Sequence, residues 1–260
     1  MIRLIIVLEL CIVVISCISV NPLASKDKVL LTMGKDKTSL RSISTALSAP
    51  ELQSLMFLES LKTNTFIEQG ELTFTLKPNQ RKLFGGVRSE LSINFPYQVG
   101  ERVTYIFDMK VPTDFIADNK KNRWWIFAQW HDQPDPKLNE TWNGMPRNSP
   151  PISLFVEERQ GVFGVGVSYL NSESFWFAIN KGEWNRYCFE IHWSDVDTGI
   201  GQLLFSFNGE IEKKFVGRNM LNSYQHYLKI GMYRHPEINT FNRILFNFSI
   251  ALSLVTLARI

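Results

Sequence analysis

From Phe66 onward, apolar and polar residues alternate in short runs that stop at turn-forming residues. Glu71–Leu76 alternates and stops at Pro78-Asn79, Ser89–Phe95 stops at Pro96, and Val103–Val111 stops at Pro112. The rhythm returns in Arg123–His131, Ile152–Glu157, Val162–Tyr169, Ser174–Ile179, Asn185–Trp193, Gln202–Asn208, Tyr227–Tyr233 and Ile244–Leu252. A period of two marks a strand with one buried face. About a dozen such strands with turn signals between them predict an all-β sandwich or jelly roll, not a parallel α/β fold. Upstream the pattern differs. Pro50 near the start of Ala49–Leu61, followed by Leu52, Leu55, Met56 and Leu58, predicts a short helix or ordered lead-in. The chain therefore divides into a leader (1–20), a lead-in with a short helix (21–65) and a single β domain (66–255).

The leader begins with Arg3 and continues through the almost wholly apolar Leu4–Val20, which reads as an export signal. Val14-Ile15-Ser16-Cys17 resembles a lipobox whose cysteine is lipidated; ordinary cleavage near Ser19 or Ala24 is the alternative. A secreted or periplasmic protein is expected, touching membrane only through the leader or a lipid anchor. The apolar end, Ile244–Ile260, reads as a closing core strand plus a tail, because Asn247, Ser249 and Ser253 interrupt it.

Composition adds little beyond this. The 260 residues are 45% hydrophobic and 20% charged, an ordinary globular balance, and the 13% aromatic content suits a sandwich core or a sugar-binding groove. A net charge of +3 without a basic block argues against a nucleic-acid partner and for a mild attraction to polyanions. Cys188 is the one cysteine outside the leader, so the β domain has no internal disulfide, and its apolar neighbours predict a buried thiol.

Three of the strands are unusual on their polar faces. By parity Arg88, Glu90 and Ser92 share one face of the first, while Leu91 and Ile93 share the other. In Trp125–His131, Gln129 and His131 face together with Phe127 and Trp125, leaving Ile126, Ala128 and Trp130 for the core. In Tyr227–Tyr233, Tyr227, Lys229 and Tyr233 share a face and Leu228, Ile230 and Met232 turn inward. A solvated face more often carries Lys, Glu, Thr and Ser than this set of Arg, Gln, His and Tyr. The Pro-rich stretch Asp132–Pro151 follows the second strand directly, where a loop can form a groove wall or lid.

Arg88-Ser89-Glu90-Leu91, Gln129-Trp130-His131 and Tyr227-Leu228-Lys229-Ile230-Gly231-Met232-Tyr233 resemble, in order, the three signature strands of jelly-roll alginate lyases. Tyr233-Arg234, Gly182–Tyr187 and Phe205–Glu210 look closer to the heparin lyase I and glucuronan lyase branch. The resemblance spans roughly Leu72 to Ile250. It implies a concanavalin-like jelly roll with a concave substrate groove. It also implies an enzyme that cleaves a uronic-acid-containing polysaccharide by β-elimination, acting as a monomer and requiring no cofactor. Related lyases sometimes carry a structural calcium, although Asp132, Asp135 and Asp197 make no calcium-loop signature. By the same resemblance Arg88 and Gln129 neutralise the substrate carboxylate. Tyr227 is the acid and a candidate base, and His131 is the base or a further neutraliser. Lys229, Tyr233 and Arg234 are expected as subsite contacts and Glu90 as an orienting partner of Arg88 or Lys229. Trp125 is expected to stack on a sugar or pack in the core. Arg234 has the wrong parity for the groove unless a bulge redirects it. His192 is expected to be structural, with His226 and His235 at the groove edge.

Two other functions fit the same sandwich. A non-catalytic lectin needs aromatics and amides but not His with Tyr and Arg. A glycoside hydrolase needs two carboxylic acids on one face, and the adjacent Glu157 and Glu158 point to opposite faces.

Overall fold

The computed structural model describes residues 29–33, 55–68, 71–118, 120, 123–146, 148–170, 173–195, 197 and 199–253. The leader and the first part of the expected helix, Ala49 to Ser54, lie outside the described residues. Among the described residues, fifteen strands follow in order: β1 (Val29–Met33), β2 (Met56–Glu59), β3 (Thr65–Glu68), β4 (Glu71–Leu76), β5 (Val87–Ile93), β6 (Arg102–Lys110), β7 (Trp125–His131), β8 (Ile152–Arg159), β9 (Val162–Tyr169), β10 (Glu173–Ala178), β11 (Trp184–His192), β12 (Gln202–Phe207), β13 (Glu210–Val216), β14 (Tyr227–Arg234) and β15 (Asn242–Ser253). A single 3-10 turn, Pro136–Leu138, interrupts the loop between β7 and β8.

The strands form two antiparallel sheets, as the alternating pattern requires. One has the order β13-β12-β11-β6-β15-β4-β3, with β1 also paired to β15; the other has the order β10-β9-β8-β7-β14-β5-β2. This is a jelly-roll sandwich. Consecutive strands pair at the outer parts of each sheet, whereas the central pairings, β11-β6-β15-β4 and β7-β14-β5-β2, join strands distant in sequence that only a shared core can reward. That core is aromatic. Trp130 of one sheet meets Tyr105 edge-on at 5.2 Å and Phe189 at 4.7 Å from the other, and Phe107 stacks on Phe189 and Tyr187. Cys188 is buried, as its apolar neighbours predict.

Two expectations need correcting. Residues Met56–Glu59 are not helical: they form β2, the edge strand beside β5, with Glu59 opposite Glu90 and Phe57 opposite Ser92. The helical spacing of Leu55, Met56 and Leu58 is overridden because an extended segment can complete the edge of β5. The β domain consequently starts before Phe66, since β2 and β3 are integral to its sheets.

The second correction concerns β7. Its pairings shift register between Ile126 and Ala128, so Phe127 has no partner on β8, the mark of a β-bulge. The bulge reverses parity along the strand. Trp125 and Phe127 turn into the core against Phe115, and Ile126 pairs with Tyr233 and Phe155 on the outer face; beyond the bulge Trp130 is in the core. Gln129 and His131 keep the outer face, but Trp125 does not share it.

Candidate active site

The three unusual strands are direct neighbours, in the order β7-β14-β5, with β2 completing the edge. Tyr227 lies opposite His131, Lys229 opposite both Gln129 and Ser92, Gly231 opposite Glu90, and Tyr233 opposite Arg88. Residues opposite one another point to the same face. Leu91, Ile93, Leu228, Ile230 and Met232 fill the core from the other face, so the polar residues gather on the outer side of one sheet. Gly231 is required in this patch. Its φ is +134°, and a Cβ there would stand 2.3 Å from the Ser89 carbonyl oxygen, which lets β14 and β5 approach closely.

Beneath this surface runs a buried network. Glu59 accepts from Arg88 Nη1 at 2.7 Å and from the Ser92 hydroxyl at 2.7 Å, and its other ion pair reaches Lys229 Nζ at 2.7 Å. Glu90 accepts from the Gln129 amide at 2.6 Å and lies 3.3 Å from Arg88 Nη1. The Arg88 guanidinium sits 4.2 Å from the centre of the Tyr233 ring, and Lys229 Nζ 5.2 Å from that of Tyr227. Burial opposes ionisation of Glu59, but Lys229, Ser92 and Arg88 outweigh it and hold its pKa below the usual value. Glu90 is fully enclosed, and burial raises its pKa against the opposing pull of Lys229 and Arg88.

Above the network stand the groups with access to solvent. His131 is half-buried, its ring 6.2 Å from that of Tyr227. Its Nδ1 lies 2.6 Å from Asp132 Oδ1. Burial would raise the pKa of Asp132, but the hydrogen bond and charge of His131 and a hydrogen bond from Asn148 lower it. The hydrogen bond of Nδ1 runs to the Asp132 carbonyl oxygen at 3.0 Å, and a carbonyl only accepts, so Nδ1 carries the proton and Nε2 is left as the basic nitrogen. Burial, with the charges of Glu59 and Glu90, pushes the Tyr227 phenol well above its ordinary value, so it stays protonated. From the loop after β7, the exposed Trp142 meets Tyr227 edge-on at 6.2 Å, which makes this loop a wall of the site, as its position predicts.

The structure thus brings Arg88, Glu90, Gln129, His131, Tyr227, Lys229 and Tyr233 onto one face. It excludes two expected members. Trp125 is buried in the core, and its neighbour Trp124 is the residue that packs edge-on against Tyr233 at 4.6 Å. Arg234 keeps its core-side parity. It is buried over the Trp125 ring and donates to the carbonyls of Thr240 and Lys77, tying the end of β14 to two loops. Burial lowers its pKa to about 10. His226, expected at the edge, is also interior: Nδ1 bonds the Tyr224 carbonyl and Nε2 accepts from the Leu221 N–H.

Three residues escaped the sequence reading. Glu59 was hidden in the segment read as helical, and only the β2–β5 pairing reveals it. Asp132 directly follows His131, and a carboxylate next to a candidate base was the available signal. Trp142 carried none beyond its place in a long loop. Among the described residues, no cluster of three or more His, Cys, Asp or Glu side chains gathers to hold a metal.

The sandwich is shared with several solved structures. The endo-β-1,4-glucuronan lyase of the fungus Trichoderma reesei aligns at a TM-score of 0.52 and 15% identity, covering 76% of this chain and 87% of that one. Alginate lyase Aly36B aligns at 0.53 and 13% identity, covering 86% and 96%. Alginate lyase AlgAT5, of polysaccharide lyase family 7, aligns at 0.52 and 14% identity, covering 79% and 88%. At such identities the likeness speaks for the fold. No curated protein matches the sequence. The family model described as polysaccharide lyase, however, matches residues 58–248, which include β5, β7 and β14 with all the residues of the outer-face cluster, and the chain therefore belongs to the polysaccharide lyase family.

Proposed function

We propose that this polysaccharide lyase acts on a uronic-acid-containing chain by β-elimination, with His131 as base and Tyr227 as acid. The observation that carries the reading is the facing pair itself: a carboxylate-oriented imidazole opposite a protonated phenol, above Gln129, Lys229 and Arg88. His131 Nε2 takes the C5 proton, the electrons form the C4–C5 double bond, and the C4–O4 bond breaks. The departing oxygen takes its proton from the Tyr227 hydroxyl. The new chain end is unsaturated, and the enzyme is reset when His131 returns a proton to Tyr227 through solvent.

The difficult step is charge. A carboxylate already bearing a negative charge resists taking on more as C5–H breaks, so donors must absorb it. Gln129, Lys229 and Arg88 supply amide, ammonium and guanidinium donors on the same face of neighbouring strands. The assignment of Tyr227 as acid rests on its place opposite His131, with a phenol that is protonated at neutral pH. The chemistry as written uses protein side chains alone. The apolar leader supports export of the enzyme to where such polymers occur.

Glucuronan is the first substrate to test, followed by alginate and heparin-like chains; the fold shared with a glucuronan lyase and with alginate lyases supports including the first two. The purified protein is incubated with each polymer while the ultraviolet absorbance of the unsaturated product is followed. Absorbance that vanishes in Tyr227→Phe and His131→Ala is the expected result. Binding without product across the panel refutes the reading in favour of a lectin, and reducing ends without absorbance refute it in favour of a hydrolase.

A further inference from the structure

The ionisable groups beneath Tyr227 form a closed, charge-balanced set. Arg88 and Lys229 are the cations, Glu59 and Glu90 the carboxylates, and each is at most 7% exposed. Glu59 on β2 stands directly opposite Glu90 on β5, an arrangement that repels unless cations intervene. Here they do: Arg88 contacts both carboxylates, and Lys229 contacts Glu59. A uronate docking against these donors adds a third carboxylate to two cations. An uncompensated charge in so dry a place is expelled or neutralised, and a carboxylate neutralises by taking up a proton.

We propose, on the reading of a uronate-cleaving site given above, that the substrate carboxylate binds together with one proton and that Glu90 receives it. The geometry selects Glu90 over Glu59. Glu59 accepts from Arg88, Lys229 and Ser92, all of which favour its ionised form. Glu90 has one neutral donor, the Gln129 amide, and a longer contact to Arg88 at 3.3 Å. Burial has already raised the pKa of Glu90, whereas that of Glu59 is lowered. The remaining titratable groups beside this set are Tyr227 and Tyr233, whose rings lie against Lys229 and Arg88, and His131 with Asp132. Protonation of Glu90 removes one of the two carboxylates competing for Arg88 and turns the set from neutral to singly positive, matching the arriving uronate. By linkage, the uronate raises the proton affinity of Glu90 as much as the proton raises the affinity for uronate.

The test counts protons. Tyr227→Phe, expected to bind without turnover, is titrated calorimetrically with a glucuronate oligomer, or with an alginate oligomer if that is the polymer cleaved. The titration is run at one pH in buffers of different ionisation enthalpy. The expected uptake is about one proton per bound site. It is expected to vanish when Glu90→Gln is added and to persist when His131→Gln is added instead. The same binding should produce an infrared band of a protonated carboxyl, which decides the matter alone if the Glu90→Gln variant does not fold. Zero uptake, no such band, or uptake that follows His131 overturns the proposal. Unsaturated product from the unmodified enzyme without proton uptake overturns this inference and leaves the lyase reading standing; failure to bind any oligouronate overturns both.

Discussion

The two sheets carry ion pairs on their outer faces under opposite conditions. On the sheet built around β6 and β11, Arg186 and Asp108 face each other across neighbouring strands, with side chains 52% and 30% exposed and a forked contact at 2.8 and 3.0 Å. On the other sheet, the side chains of Arg88 and Glu59 are both buried. The contacts look alike, yet their energetics differ. Water screens the first pair, which contributes about 0–1 kcal/mol. The second has lost its hydration, and a buried pair stabilises weakly relative to a packed apolar core even though breaking it is expensive. The comparison teaches that what sets the ion pairs beside the candidate site apart from those of the opposite sheet is burial, not charge.

The largest effect should come from the groups above the buried cluster. Tyr227→Phe and His131→Ala are each expected to lower the rate of product formation by about 10²–10⁴-fold. Neither should shift the melting temperature greatly, because both side chains are partly open to solvent. A matching loss of folded protein would mean that the outer face is merely structural.

Next comes the cluster itself. Glu59→Ala leaves Lys229 and Arg88 buried with one carboxylate between them, and we expect a loss of about 3 kcal/mol in denaturant unfolding. A loss no greater than that of an exposed pair would erase the distinction between the two faces.

A third measurement concerns His226, which precedes Tyr227 in the chain. It is buried neutral: desolvation drives its pKa from 6.5 to about 4, and protonated Nε2 would confront the Leu221 N–H. The unfolded chain therefore takes up a proton that the folded one refuses, so stability falls as pH drops from 6.5 toward 4. At pH 5 the loss attributable to this group is about 2 kcal/mol. Thermal melts of the wild type and His226→Gln across this range should diverge at neutral pH and converge as the pH falls; parallel curves would contradict a neutral buried imidazole.

The smallest effect is expected on the opposite sheet, where Asp108→Ala should alter unfolding free energy by less than about 1 kcal/mol and leave lyase activity intact. A larger change would show that the exposed pair is coupled to the core.

Much of this was legible in the chain. Alternation alone located most strands, because a half-buried strand must repeat every two residues, and it assigned Arg88, Glu90, Lys229, Tyr227 and Gln129 to polar faces correctly. It failed where geometry departs from the simple period. The bulge at Phe127 inverted the assignment of Trp125 and Ile126, since one extra residue exchanges the faces of everything before it. Arg234 was the reverse case: parity pointed it inward, and the structure keeps it there, paired to carbonyls that no local pattern predicts. The sequence by itself therefore determined the sandwich, the identity of the three polar strands and most of the side chains they display, all consequences of local periodicity. Only the tertiary structure decided that those strands are adjacent and that β2 brings Glu59 against Arg88 and Lys229. Asp132 could be seen beside His131, but its hold on Nδ1 could not. Strand order and cross-strand partners arise from pairings between residues far apart in the chain, where the reward is shared core burial and leaves no local trace.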